Sequence, residues 1–480
     1  MASSKAQRTD ERTFSLRSNV RTSVAPIFAL VAFLIAPDVN AADKADPVFI
    51  VWTETHQTIV GFGGTMGWIH PHPEQRDEVF DLLFKDLGAS VLRVQALGGE
   101  GGDEVTPEKE NDNNDPDTFD WSKFSFKETE AKAALNIKSA QSRGVKLILP
   151  VTWSPPGWMK DNGKRTGTSA MLKPEMADEF AELWAAYVIA MKRDFGIEIH
   201  DICIQNEPDL TWYYPTCRID AGLLARTMLA TRKKLEHEKL DVRVLGPDTC
   251  RIYHLAEYAE QMEKWKSSPG TPLLTHLYDL DIGFEEVEKD APRWNAARVL
   301  VEKYKRPLWL VETANYLSGV DPASYSEALL WAQKIHWALC AGDCEMVCYW
   351  QLFFDKKGEA LIYCAKSEDK KYEITPKFYT SKNFFKFVRP GMVRVSAATT
   401  GKDVLVSAFD DPAAKDHRVI VLINTAKEAR TVSFTETGAW QRFTTAVDRK
   451  CVDDGTLKSL ETIALPAQSV TTLVAVATER

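Results

Sequence analysis

Ile199-His200-Asp201-Ile202-Cys203-Ile204-Gln205-Asn206-Glu207-Pro208 carries an apolar, strand-like run into an amide, a carboxylate and a proline. Proline has no N–H for a sheet ladder and drives the residue before it toward extended geometry, so the strand is expected to end at Glu207. A carboxylate at the C-terminal end of a buried strand is where a barrel enzyme keeps its chemistry. A solvated Glu opening a surface loop is the competing reading, and the rest of the chain has to choose between them.

Outward from this stretch, strand-like and helical runs alternate, the signature of βα units and a parallel sheet. Strands are expected at Thr58–Gly63, Ser90–Leu97, Lys146–Thr152, Asp201–Asn206, Arg243–Pro247, Leu273–Tyr278, Leu308–Glu312 and Met346–Leu352. Several are near-continuous apolar runs, as strands buried on both faces require. Apolar residues at three- and four-residue spacing mark helices at Pro73–Leu83, Phe126–Ser142, Pro174–Asp194, Ala221–Leu235, Tyr253–Trp265, Arg293–Tyr304, Tyr325–Leu339 and Lys377–Phe387. Eight strands each followed by a helix give the count of an α/β fold of the (β/α)8, or TIM, barrel type. An open doubly wound sheet lacks support: Gly61-Phe62-Gly63-Gly64-Thr65-Met66-Gly67 has the wrong spacing for a dinucleotide-binding turn, and Asp81 falls inside a helix rather than at a strand end.

The character changes at Val388-Arg389-Pro390-Gly391. Short, often alternating strands follow at Val393–Val395, Val404–Ala408, Val419–Ile423, Arg430–Phe434 and Val470–Val476, which predicts a side β-sandwich. The early strand Pro47–Trp52 precedes the barrel and is expected to join this sandwich, closing it from both chain ends. The expected division is a leader over 1–41, a catalytic barrel over 56–387 and a sandwich from 46–55 with 388–480. The leader reading rests on Lys5, Arg8, Arg12, Arg17 and Arg21 ahead of an apolar run, Val24–Ala36, and on the small-residue site Val39-Asn40-Ala41. It predicts export to a secreted, periplasmic or extracellular location, a mature chain starting near Ala42 and no membrane span after processing; an uncleaved anchor is the alternative.

The 480 residues are 44% hydrophobic and 26% charged, ordinary for a globular protein. A net charge of -9, with no basic stripe, argues against nucleic-acid binding. The eight Cys form no CxxC pair. Cys217 and Cys250 follow consecutive strands and could meet; free buried thiols are the other reading. The acidic loop 98–120 has carboxylates for Ca²⁺ but fits no ligand template. HExxH, GxSxG and GxxxxGK[ST] are all missing, and the His residues show no metal-ligand spacing. The expectation is therefore no metal and no organic cofactor, in a monomer whose partner is a carbohydrate substrate.

The chemistry sits at the strand ends. The third strand ends in Trp153, the fourth in Asn206-Glu207, the sixth in His276 and Tyr278, the seventh in Glu312 and the eighth in Tyr349-Trp350. Barrel geometry points these ends into one mouth. Two carboxylates there suit glycoside hydrolysis, one protonating the leaving oxygen and the other stabilising the oxocarbenium-like centre. The fourth and seventh strands lie far enough round the barrel for their carboxylates to face each other, and a separation of about 5–5.5 Å would make one a nucleophile. Trp153 and Trp350 offer flat faces for sugar rings, and Asn206 an amide for the 2-hydroxyl. An ionised Glu312 would raise the pKa of Glu207, giving a bell-shaped profile with an acidic optimum.

These residues resemble glycoside hydrolase family 30, within the clan carrying Asn-Glu on strand four and Glu on strand seven. The resemblance is carried by Gly61-Phe62-Gly63-Gly64, Arg93, Thr152-Trp153-Ser154-Pro155-Pro156-Gly157-Trp158-Met159-Lys160, Gln205-Asn206-Glu207-Pro208, His276 with Tyr278, Glu312 and Tyr349-Trp350. Phe387-Val388-Arg389-Pro390-Gly391 and Leu465-Pro466-Ala467-Gln468-Ser469-Val470 extend it through the junction and sandwich. It implies a retaining mechanism with Glu207 as acid/base and Glu312 as nucleophile. It implies that Trp153, Asn206, Tyr278 and Trp350 line the sugar subsite beside the cut, with Arg93 close to the nucleophile. The stretch from Ile204 to Asp209, with Cys217, is most similar to the bacterial xylanase branch. That branch places an Arg after strand eight for a glucuronate side group; this chain has Lys356, Lys357 and Lys366 and no clear equivalent. Gln95-Ala96-Leu97-Gly98 also departs from it. Xylan, β-1,6-glucan, β-1,6-galactan, a glycolipid, or glycan binding without catalysis all stay open at this point.

Overall fold

The computed structural model describes residues 45–99, 105–278, 291–314, 321–366, 370–414 and 416–476. The leader and its cleavage site lie outside these residues. Strand β1 (Asp46–Thr58) runs ahead of the barrel. The barrel strands are β2 (Gly61–Met66), β3 (Val91–Gln95), β4 (Leu147–Val151), β5 (Asp201–Cys203), β6 (Arg243–Thr249), β7 (Leu273–His276), β8 (Leu308–Glu312) and β9 (Cys344–Tyr349). They close in that order, all parallel, with β2 paired to β9. The crossovers carry α1 (Arg76–Asp81), α2 (Phe126–Thr129), α3 (Ala131–Gln141), α4 (Ala177–Phe195), α5 (Ala221–His237), α6 (Leu255–Trp265), α7 (Ala291–Tyr304) and α8 (Tyr325–Cys340), and α9 (Pro376–Phe385) follows β9. This is the expected TIM barrel.

Each strand and helix is where its side chains demand. In β8, Leu308-Trp309-Leu310-Val311-Glu312 is buried throughout because the barrel interior lies on one face and helices on the other. Helix α4 buries Phe180, Leu183, Trp184, Tyr187, Val188 and Met191, an i, i+3, i+4 stripe. Asp178 and Glu179 sit at its positive end and Lys192 and Arg193 at its negative end, and Gly196 closes it in the left-handed region. Each large side chain so buried contributes about 1.5–3 kcal/mol. Strand β2 is built from glycine for a different reason: a Cβ on Gly63 would stand 1.9 Å from the Val91 carbonyl oxygen, and one on Gly64 2.4 Å from that of Tyr349. The first strand approaches both neighbours too closely for any side chain there.

After β9, three short strands, β10 (Phe353–Phe354), β11 (Ile362–Tyr363) and β12 (Glu373–Ile374), pair into a small sheet. The side domain holds β13 (Val393–Thr399), β14 (Val404–Asp410), β15 (Arg418–Asn424), β16 (Arg430–Ser433), β17 (Trp440–Ala446), β18 (Arg449–Leu457), β19 (Ile463–Leu465) and β20 (Ser469–Ala475). With β1 they form one curled sheet in the order β18-β17-β20-β15-β14-β13-β1-β16-β19. β1 pairs antiparallel with β13 along its length and parallel with β16 at its start, joining the two layers. The curl brings Val432, Ile463 and Leu465 onto Val406, Ile420, Leu422 and Leu473 in one apolar core.

Strands β17, β18 and β19 have no counterpart in the sequence reading. β18 reads Arg-Lys-Cys-Val-Asp-Asp-Gly-Thr-Leu and ends the sheet, where charged side chains protect an open edge and erase the apolar alternation. The side domain is fastened to the barrel by Asn383 of α9, which donates to Thr472 Oγ1 (2.9 Å) and accepts from Thr445 Oγ1 (2.5 Å). Tyr325 of α8 adds a bond to the Gln468 carbonyl (2.8 Å).

Candidate active site

Five charged side chains converge at the C-terminal mouth of the barrel. Arg93 on β3 is wholly buried, and Glu207 and Glu312 are each 4% exposed. Arg93 Nη1 donates to Glu312 Oε2. Its Nη2 donates to Asn206 Oδ1 (2.6 Å) and Asp248 Oδ2 (2.9 Å). His276 closes β7, in register with Glu312 closing β8. Its Nε2 bonds Asp248 Oδ1 (2.9 Å), and its Nδ1 lies 3.2 Å from Glu207 Oε1 and 3.6 Å from Glu312 Oε1. Tyr214 donates its hydroxyl to Glu207 Oε2 (2.7 Å).

The backbone aims these groups at a cost. β5 ends at Cys203, so Glu207 stands beyond the strand rather than closing it. The Asn206 N–H still reaches the Thr152 carbonyl (2.8 Å), but at Glu207 the chain turns into the left-handed region, φ +48°. Asp248 is left-handed too, φ +65°, and the Glu207 N–H donates to its carbonyl (3.0 Å). Each such residue costs of order 1–3 kcal/mol and persists only where the surroundings enforce it.

Both ring nitrogens of His276 face carboxylates, so the doubly protonated ring satisfies both. The negative charges of Glu312 and Asp248 outweigh its burial and raise its pKa to about 10. Arg93 and His276 hold Asp248 well below the usual carboxylate range despite burial. Two cations therefore face three carboxylates, and the cluster becomes neutral only if one proton stays on the Glu207–Glu312 pair. Its location differs from the sequence expectation. Burial raises Glu312 to about 7, while bonds from His276 and Tyr214 hold Glu207 below its ordinary value. The expectation that Glu312 would raise Glu207 did not include the side-chain donors on Glu207.

The remaining sequence candidates gather round this cluster. Trp153 and Trp350, both buried, stand 5.8 Å apart between ring centroids, and Arg93 lies 4.9 Å over the Trp153 ring. Trp350 Nε1 donates to Glu359 (2.9 Å), anchoring the ring to the segment after β10. Tyr278 meets His276 edge-on at 5.7 Å. Three participants were not read from the sequence. Asp248 directly follows the fifth expected strand, so the same strand-end rule would have found it. Trp68, just past β2, touches Trp153, Trp350 and Tyr214. Tyr214 comes from a loop, with no periodic signal. Of the lysines after strand eight, Lys356 pairs with Glu359 (3.5 Å) and Lys357 with Glu373 (2.7 Å). All eight cysteines are free thiols, Cys217 and Cys250 included.

Ligand atoms of Glu207, His276 and Glu312 lie within 4.8 Å of one another, the spacing of a metal site. Arg93 and His276 themselves bring positive charge to that spot. Asp112, Glu179 and Glu182 form a second group of this spacing, linking the acidic loop to α4. Burial and mutual repulsion raise Glu182 to about 9.

Comparison with known proteins gives this architecture a class. The model of O-glycosyl hydrolase family 30 matches residues 47–224. The glucuronoxylanase XynC of Bacillus subtilis (strain 168) is 26% identical over 414 residues, covering 82% of either chain. A putative glucosylceramidase 4 of Caenorhabditis elegans is 23% identical over 421 residues, 78% of this chain and 76% of that one. The solved family 30 subfamily 8 xylanase Xyn30A of Clostridium acetobutylicum superposes with a TM-score of 0.69 at 22% identity, over 90% of this chain and all of that one. The protein is a glycoside hydrolase with a barrel and an appended sheet domain. Within that class its resemblance is to family 30, on the side of the bacterial xylanases. Among the described residues, no helix is long and apolar enough to cross a membrane.

Proposed function

We propose that the protein is an exported, retaining hydrolase of a β-linked glycan, with Glu312 as nucleophile and Glu207 as acid/base. The observation that carries this is the approach of the two carboxylates, with oxygens of both and a His276 nitrogen within 4.8 Å. Retaining pairs stand about 5–5.5 Å apart, whereas inverting pairs leave room for a water at about 6.5–9.5 Å. Arg93 orients Glu312 for attack at the anomeric carbon, and Asp248 keeps Arg93 balanced when the nucleophile's charge is lost to the glycosyl ester. Asn206, its oxygen bonded to Arg93, presents its NH₂ end to a sugar hydroxyl. Trp153 and Trp350 provide the stacking faces, with Tyr278 beside them.

Leaving-group departure needs the shared proton on Glu207. His276 Nδ1 touches both carboxylates and is the group through which the proton redistributes when sugar fills the mouth. The proton's preference for Glu312 favours a second reading, with the two roles exchanged. Azide separates them: Glu207→Ala should yield a β-glycosyl azide, and Glu312→Gly an α-glycosyl azide. The opposite pattern reverses the assignment.

Substrate class is tested on xylan, β-1,6-glucan, β-1,6-galactan, β-1,3-glucan and a glucosylceramide. The relative described as a putative glucosylceramidase supports including the last. We expect a polysaccharide to be cleaved with net retention, read by NMR of the first-formed anomer. Inversion, or binding without product on every substrate, would defeat the proposal. The basic, apolar leader supports export, and recovery of the processed chain outside the cytoplasm tests it.

A further inference from the structure

We propose that Trp212 and Tyr213 form a stacking platform for the leaving-group side of the glycan, so that the chain being cut continues outward past Glu207. The inference rests on the reading above, in which Glu207 protonates the leaving oxygen. Both rings are large and open, Trp212 48% exposed and Tyr213 71%. They belong to the loop that begins at Glu207-Pro208, and they adjoin Tyr214, whose hydroxyl is bonded to Glu207. The rings form a series, Trp212 to Tyr213 at 5.8 Å and Tyr213 to Tyr214 at 5.8 Å. Tyr214 then meets Trp68 at 6.1 Å, and Trp68 meets Trp350 at 5.3 Å. A continuous aromatic track thus leads from the buried sugar subsite, past the oxygen of the acid/base, to solvent. Its inner end is enclosed and its outer end is open, as a site for an extended chain requires.

The outer rings stand on a fixed support. Thr216 N–H donates to the Arg165 carbonyl (3.2 Å), Ser169 N–H to Thr211 Oγ1 (3.2 Å) and Ile219 N–H to the Pro208 carbonyl (2.9 Å). Asp209, the one charged residue between Glu207 and Arg218, is bound to His254 (2.8 Å) and to the Cys250 N–H (2.7 Å). The platform is consequently aromatic and uncharged, a match for the C–H face of a neutral pyranose.

The experiment compares Trp212→Ala, Tyr213→Ala and the double variant with the unaltered enzyme on two substrates. One is the polysaccharide cleaved in the panel above; the other is the 4-nitrophenyl glycoside of the sugar it releases, whose small leaving group cannot span the platform. We expect kcat/KM on the polysaccharide to fall about tenfold for each ring removed. On the aryl glycoside it should stay within about twofold, which also shows that the variants are folded. Trp212→Phe should retain most of the polysaccharide activity. Equal losses on both substrates, or none on the polysaccharide, would overturn the platform while leaving the hydrolase reading intact. An unaltered enzyme inert toward both would overturn the hydrolase reading, and the platform with it.

Discussion

Replacing Glu312 by Gln should abolish turnover and at the same time make the fold more stable near neutral pH. The carboxylate is 4% exposed, and burial lifts its pKa from 4.5 to about 7 in the folded protein. A carboxylate whose folded value is raised holds a proton in the native state that the unfolded chain has already released. Between pH 4.5 and 7 the native state therefore binds more protons, and stability falls as pH rises. Integrating over pH 5 to 7 gives a loss of about 2 kcal/mol, which a neutral amide does not suffer. For a chain of this size that corresponds to roughly 2 °C in Tm. The difference in Tm between Glu312→Gln and the unaltered protein should therefore grow by about that much from pH 5 to pH 7, measured by calorimetry in matched buffers. In parallel, kcat should drop by up to about a million-fold, the scale of losing a nucleophile. A stability difference that is constant or shrinks with pH would refute the electrostatic reasoning; substantial turnover by the variant would refute the role.

Glu207→Gln should cost about 10²- to 10⁴-fold in kcat/KM on the polysaccharide, and much less on an aryl glycoside whose leaving group needs no proton; equal losses would deny Glu207 the acid role. The pH profile of kcat/KM should be bell-shaped, since the pair retains one proton only between the depressed value of Glu207 and the value of about 7 at Glu312. The optimum is accordingly acidic, and a flat profile from about pH 4 to 9 would contradict a paired dyad. Asp248→Asn removes a charge shared by Arg93 and His276, and should destabilise the fold by about 3–5 kcal/mol in urea titrations. The same change should lower the pKa of His276, visible in its ring resonances by NMR.

Much of the barrel was legible because its signal is local. Leu308–Glu312 is buried on both faces and reads as an unbroken apolar run, and its expected and observed limits coincide. Glycines 63 and 64 were visible as a motif, but only the approach of Val91 and Tyr349 explains them. In the side domain the inner strands were legible from their apolar residues, whereas β18 at the sheet edge was not, because an edge strand is selected to be polar.

The amino-acid sequence by itself determined the fold class and put Glu207 and Glu312 forward as candidates, since position near a strand's end is a one-dimensional property once strands are counted. Only the tertiary structure decided what surrounds them. Arg93, Asp248 and His276 lie up to 183 residues apart in the chain and form one network. The pKa ordering of Glu207 and Glu312 follows from that network, because proton affinity depends on burial and on charges a few ångströms away. Neither quantity is encoded by any neighbour in the chain.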